Sequence, residues 1–254
     1  MCLILLSWQQ QPEHPLIVAA NRDEFYSRPT LPANYWPEHP QILAGRDLEF
    51  GGSWLGISRN GRFAAVTNLR EVESKGERSR GDLVKNFLLT DTNTAKHLDQ
   101  LEAAKANYRP FNFIAFDGKT LGYSNNAEPG WQSLPQGSHA IGNFPLSAAN
   151  EKTRKGKRDL EATLRHRGDH AALLSMLQNK ESTGEHKEPL YRGLSSRFVS
   201  LAGAEYGTRS SSILYRHRDG SWDFWEQLYN TSAADPAFLD PQSLNHFNVR
   251  ANQP

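Results

Sequence analysis

Cys2-Leu3-Ile4-Leu5-Leu6-Ser7-Trp8 and Leu16-Ile17-Val18-Ala19-Ala20 are two apolar runs of strand length, separated by a turn that carries Pro12 and Pro15. Apolar runs bounded by turn residues read as a paired hairpin. Neither run alternates apolar with polar residues, so a sheet built from them has to be covered on both faces. That requirement decides the fold class, because a doubly covered antiparallel sheet needs another layer on each side.

The remaining chain supplies those layers. Trp54–Ser58 and Arg62–Asn68 bracket Arg59-Asn60-Gly61, whose Asn-Gly pair is a strong hairpin signal. Asp82–Leu89 and Thr94–Ala106 read as helices, and strands return at Asn112–Phe116, Leu121–Ser124 and His139–Ile141. Lys157–Arg167 and Asp169–Leu177 read as two more helices, followed by a hairpin of Arg209–Arg216 and Trp222–Tyr229 across Asp219-Gly220. Blocks of strands and blocks of helices exclude the regular alternation of a doubly wound sheet. Two antiparallel sheets packed face to face and covered by helices satisfy the order, as one α+β domain over 1–254. Three stretches read as loops. They are Asn21–Pro40 with prolines at 29, 32, 37 and 40, the charged Leu69–Gly81, and the polar Lys180–Pro189.

Bulk properties narrow the function. Lys and Arg number 29 against 28 Asp and Glu, a net charge of +1, which gives no general pull towards nucleic acid or a membrane surface. A single cysteine excludes an internal disulfide, and without a Cys-x-x-Cys pair no structural zinc or other metal site is expected. The apolar start has no basic segment before it and meets Trp8, Gln9 and Gln10 at once, so it does not read as a signal peptide. No run approaches the ~20 apolar residues of a membrane span. A cytoplasmic protein is expected.

Cys2 is that one cysteine, directly after the initiator methionine. Methionine is removed when a small residue follows it, and the mature chain would then carry a thiol and a free α-amine on one residue. The amine titrates near ~8 and the thiol near ~8.5, so the nucleophile brings its own base. A lone cysteine in a strand also serves as a small buried hydrophobe. Asn21-Arg22-Asp23-Glu24 follows the second run, and the hairpin returns it towards Cys2. A carboxylate there can hold an ammonium, and an arginine can bind an anionic group. Arg209, ahead of three serines, can bind an anion or make a sheet-edge ion pair. Trp36 and Trp54 can line a cleft for a flat apolar ligand or fill core. Gly51-Gly52-Ser53 lacks the lysine and spacing of a phosphate loop, and close backbone approach beside Trp54 explains its glycines better.

Met1-Cys2-Leu3-Ile4, the Asn-Arg-Asp-Glu of 21–24, Gly51-Gly52-Ser53-Trp54-Leu55-Gly56, Thr67-Asn68, Gly142-Asn143 and Tyr206-Gly207-Thr208-Arg209-Ser210-Ser211 resemble the NRDE family, whose eukaryotic members are the transport and Golgi organisation protein 2 family. The resemblance runs from Met1 to about Tyr229 and implies the four-layer αββα sandwich of the N-terminal-nucleophile hydrolases. A more distant resemblance to cysteine amidases such as penicillin V acylase and bile salt hydrolase implies roles: Cys2 the nucleophile, Asp23 the holder of the α-amine, Asn68 an oxyanion donor, Asn143 a polar residue near the leaving group, and Arg197 a late active-site arginine. Asn21, Arg22, Glu24, Trp54, Arg197 and Arg209 complete the expected ligand-binding set. One position departs. Those amidases carry an arginine three residues before the aspartate, where this chain has Ala20, and Arg22 is expected to point away from Asp23 on a strand.

Two functions follow. The first is hydrolysis of a C–N amide bond in a small amphipathic molecule, with no cofactor. The second, implied by what the resemblance links to the family, is non-catalytic haem trafficking or binding of an acyl-coenzyme A or lipid in the same pocket. Cys2 or a histidine such as His97 or His139 would then be the haem ligand, although no Cys-Pro or Cys-x-x-Cys-His motif is present.

Overall fold

The computed structural model describes residues 2–70, 72–73, 75–183, 188–201, 203–229 and 244–250. In chain order the first half holds β1 (Leu3–Trp8), β2 (Leu16–Phe25), β3 (Thr30–Trp36), β4 (His39–Asp47), β5 (Leu55–Ser58), β6 (Phe63–Asn68), α1 (Gly81–Leu89) and α2 (Thr94–Ala104). The second half holds β7 (Phe111–Phe116), β8 (Leu121–Asn125), β9 (Trp131–Ser133), β10 (Gly137–Ile141), α3 (Glu151–His166), α4 (His170–Leu177), α5 (Pro189–Ser195), β11 (Ser200–Leu201), β12 (Tyr206–Arg216), β13 (Trp222–Leu228) and β14 (Leu244–Val249).

The strands form two antiparallel sheets. One runs β10-β1-β2-β12-β13-β14, with β11 on β12, and the other runs β3 to β9 in sequence order. Three apolar layers hold them. Ile4, Leu6, Val18 and Leu214 of the first sheet meet Ile57, Phe63 and Ile114 of the second in the inter-sheet core. On the outer face of the second sheet, Val84, Phe87 and Leu88 of α1 and Leu98 of α2 pack on Ala64 and Phe113. On the outer face of the first, Leu160 of α3 and Leu173 and Leu177 of α4 pack on Leu3, Leu5, Ile17 and Ala19. The result is α/β/β/α layering. It follows from the all-apolar hairpin, since Leu3 and Leu5 feed the helix-side core while Ile4 and Leu6 feed the inter-sheet core.

The expected loop over Asn21–Pro40 is a correction. β2 continues through the polar run to Phe25, paired to β12 as Ser211↔Asn21, Ser210↔Arg22 and Thr208↔Asp23. The next residues form β3 and β4 in spite of their prolines. β3 is the edge of its sheet, where a missing N–H costs no ladder bond, and Pro32 sits at the register shift between Leu31 and Asn34. In Leu69–Gly81 the last residue opens α1, the other described residues carry only a bridge from Arg78 to Tyr108, and Leu69 is buried. Of Lys180–Pro189, residues 184–187 lie outside the described set, while Thr183 is buried and bonded to Ser195. Among the described residues no helix is long and apolar enough to cross a membrane.

Candidate active site

Register places the site. Leu3 pairs with Asn21, so Cys2 stands opposite Arg22 at the end of the β1–β2 hairpin. Strand alternation then sends Cys2, Ala20 and Arg22 towards the inter-sheet layer and Asn21 and Asp23 towards the helices. The half-buried Cys2 thiol donates weakly to the Asp23 carbonyl oxygen at 3.7 Å. Burial pushes the thiol up from its ordinary value, with the Asp23 carboxylate adding to the rise and the neighbouring Arg22 opposing it.

Arg22 is 6% exposed, its guanidinium 4.3 Å above the Trp54 ring. Trp54 can lie there because Gly45 has no side chain: a Cβ at position 45 would stand 2.2 Å from the indole. Arg22 Nη2 is 4.0 Å from Glu24 Oε2, and Nη1 is buried without a hydrogen-bond partner among the described residues. Arg22 does point away from Asp23, and that is the face on which Cys2 sits. Positions 20 and 22 share this face of β2.

The Asp23 carboxylate is fixed from the other side. Thr208 Oγ1 donates to its Oδ1 at 2.7 Å, Lys152 Nζ of α3 stands 3.6 Å from Oδ2, and Tyr206 OH donates to its carbonyl oxygen at 3.2 Å. Lys152 is buried, which lowers its pKa, while the Asp23 carboxylate works in the opposite direction. Sequence reading missed Lys152, because a lysine in the first turn of a Lys- and Arg-rich helix looks like any solvated one.

Across the cleft, β6 ends at Asn68, which is exposed and lines the same cavity as Cys2. Its side chain makes no hydrogen bond among the described residues. Asn143 is buried and does not line that cavity; its Nδ2 donates to the Asn68 carbonyl oxygen at 2.8 Å and its own carbonyl accepts from Arg70 N at 2.8 Å. It therefore ties the loop after β10 to the end of β6.

The remaining predicted residues separate. Glu24 and Trp54 line the cavity, about 90 Å³, together with Arg28, Asp47, Arg80 and Arg109. Asn21 is buried on the helix side, where Nδ2 donates to the carbonyls of Leu177 and Arg197 and Oδ1 accepts from Ser211. Arg197 is also buried there, donating to Met176 O at 2.9 Å and ion-paired to Asp159. Neither residue lines the Cys2–Asn68 cavity, and both side chains anchor the helical layer. The cause is strand parity for Asn21 and the position of Arg197 after α5 on the outer face. Arg209 donates to the carbonyls of Phe25 and Arg28 and lines a neighbouring cavity of about 140 Å³ with Arg22 and Trp54. Glu226 of β13 shares that second cavity; it is buried against Ala33 N at 2.6 Å, and burial holds its carboxyl up at about 7. A larger groove of about 480 Å³, lined by His14, His170, Tyr215 and Trp225, lies at the other end of β2 and contains none of the predicted site residues. Among the described residues no group of three or more His, Cys, Asp or Glu side chains could hold a metal.

The model of the Transport and Golgi organisation 2 family matches residues 1–231. The chain belongs to this family. The human Transport and Golgi organization protein 2 homolog is 34% identical over 257 residues, spanning 89% of this chain and 92% of that one. The Drosophila melanogaster protein of the family is 27% identical with the same coverage. The fold is shared with solved N-terminal-nucleophile hydrolases. A Caenorhabditis elegans N-acylethanolamine-hydrolyzing acid amidase ortholog superposes with a TM-score of 0.55 at 12% identity, covering 97% of this chain and 100% of that one. A mutant conjugated bile acid hydrolase from Clostridium perfringens gives 0.53 at 9%, covering 98% and 92%. This chain thus shares the four-layer frame of those hydrolases.

Proposed function

We propose that the protein is a cysteine amidohydrolase of the N-terminal-nucleophile type, acting on a C–N amide bond in a small amphipathic molecule. The observation that carries this reading is the meeting of a thiol, Cys2, and an unengaged amide, Asn68, in one cavity at the open end of two sheets. With Met1 removed, the Cys2 amine takes the thiol proton, and the thiolate adds to the substrate carbonyl. A thiol raised by burial is neutral at rest, so this transfer is needed. The Asp23 carboxylate, itself fixed by Thr208 and Lys152, orients the ammonium. Asn68 donates to the oxyanion, a contribution of ~3 kcal/mol for one such donor. Collapse breaks the C–N bond, the leaving amine takes the proton, and water hydrolyses the thioester to regenerate Cys2. Asn143 acts as a positioning residue by holding the Asn68 backbone. By their names, one neighbour in fold is the ortholog of an N-acylethanolamine-hydrolyzing acid amidase and the other is a mutant of a conjugated bile acid hydrolase.

The competing reading, carriage of haem or an acyl-coenzyme A, makes no demand on a free α-amine. The cavity beside Cys2, about 90 Å³, takes a head group and is too small to enclose a porphyrin. The test is intact mass followed by hydrolysis of a panel of N-acyl amides. Loss of Met1, and turnover that falls by ~10³-fold or more in Cys2→Ala, is the expected result for an essential nucleophile. Retained Met1 or unchanged turnover in the variant would sink the reading. Haem titration that gives a saturable, shifted absorption band altered by Cys2→Ala would favour carriage. A reducing, cytoplasmic location is proposed on the single cysteine.

A further inference from the structure

The cavity beside Cys2 has more positive charge than its own acids use. Asp47 is taken by Arg28 at 2.6 Å and by the backbone N–H of Glu49. Glu24 accepts from the Phe25 N–H at 2.9 Å and reaches Arg22 only at 4.0 Å. That leaves Arg22 Nη1, 94% shielded with its side chain and without an acceptor, together with Arg80 and Arg109, whose guanidinium groups make no ion pair or hydrogen bond among the described residues. Arg109 lies 4.8 Å above Phe50, at the cavity's rim. Arg80 stands where α1 begins, drawn to the cavity wall by the contact of Gly52 with Gly81, where a Cβ would sit 2.5 Å from the Gly81 carbonyl carbon. Burial and the proximity of Arg109 lower the Arg80 pKa, with Cys2 and the Glu24 carboxylate working in the opposite direction. A buried guanidinium with an idle N–H costs free energy until an acceptor arrives.

We infer that Arg22, Arg80 and Arg109 form an anion subsite next to Cys2, so that the amide substrate carries a carboxylate or a phosphate close to its scissile bond. This rests on reading the Cys2 cavity as the reaction site. The cavity volume, about 90 Å³, suits one such group with its first neighbours.

The one thiol of the chain allows a test that needs no substrate. Carboxymethylation of Cys2 by anionic iodoacetate is compared with its alkylation by neutral iodoacetamide, each rate read by intact mass. In the wild-type protein the iodoacetate-to-iodoacetamide ratio is expected to exceed that of free cysteine, and to fall roughly tenfold in Arg80→Ala/Arg109→Ala, as removal of two nearby cations predicts. Arg80→Lys/Arg109→Lys should restore most of it, which also controls for folding. Inorganic phosphate and acetate are then added separately as protectants; the one that slows iodoacetate at the lower concentration names the anion. Equal ratios in wild type and the alanine variant, or no protection by either anion, would overturn the inference. Alkylation proceeds whether or not an amide is hydrolysed, so this outcome is separable from failure of the amidase reading.

Discussion

The two ends of the inter-sheet layer are built from the same strands and are opposite in kind. At one end β1, β6 and β7 contribute Trp8, Phe63 and Phe116, which close the layer with Trp222. Trp8 and Phe116 meet edge-on at 5.4 Å, and Phe116 meets Trp222 at 6.2 Å. At the other end the same β1 and β6 finish with Cys2 and Asn68, and β2 sends in Arg22 against Trp54. The closed end gains mainly from buried area, although Trp222 Nε1 and the Nε and Nη1 of Arg216 above that ring are buried there without hydrogen-bond partners among the described residues. The other keeps the Arg22 guanidinium and the Cys2 thiol largely out of water beside a cavity, an arrangement that costs stability and that a ligand would offset.

The contrast predicts that substitutions at the closed end act on stability and those at the open end on chemistry. Phe116→Ala is expected to lower stability by about 3–5 kcal/mol, from lost burial and the cavity left behind. Chemical denaturation measures this, and the Cys2 iodoacetate-to-iodoacetamide ratio should not move. A shifted ratio would mean that the two ends are coupled. On the proposed mechanism Asn68→Ala should reduce turnover by about 10²–10³-fold, and its exposed amide, unbonded among the described residues, predicts little change in denaturation midpoint. A loss of stability without loss of turnover would return Asn68 to a strand-end role. Glu226→Gln sharpens the comparison most finely. Its carboxyl, held at about 7 by burial, sits at an ordinary 4.5 when the chain unfolds. Between these values the folded state holds the more protons, so stability falls as pH rises and the deficit is complete above about 7, on the order of 3 kcal/mol. The variant should therefore melt higher than wild type near pH ~8 and with it near pH ~4. Equal melting curves near pH ~8 would place the carboxyl in water.

Much of this was legible in the chain. The apolar Cys2–Trp8 and Leu16–Ala20 runs dictate a sheet covered on both faces, and Asn60-Gly61 and Asp219-Gly220 mark hairpins found where expected. The polar Asn21–Glu24 was not legible as strand, because its partner β12 lies almost two hundred residues away and only that pairing makes the extended form the stable one. The prolines of 29–40 misled for a related reason: an edge strand tolerates them, and being at an edge is a property of the sheet. Lys152 and Glu226 gave no signal, since each is an ordinary charged residue until packing buries it.

The sequence by itself determined the layers and nominated Cys2 and Asp23, because apolar periodicity and residue chemistry are local properties, while Asn68 was nominated by the resemblance of its motif to the amidases. Which side chains share a space was decided only by the tertiary structure. Parity across the β1–β2 ladder put Arg22 rather than Asn21 beside Cys2. Contacts between distant elements, Lys152 to Asp23 and Asn143 to Asn68, fixed the groups around them, because hydrogen bonds and ion pairs act over a few ångströms and depend on where the chain returns.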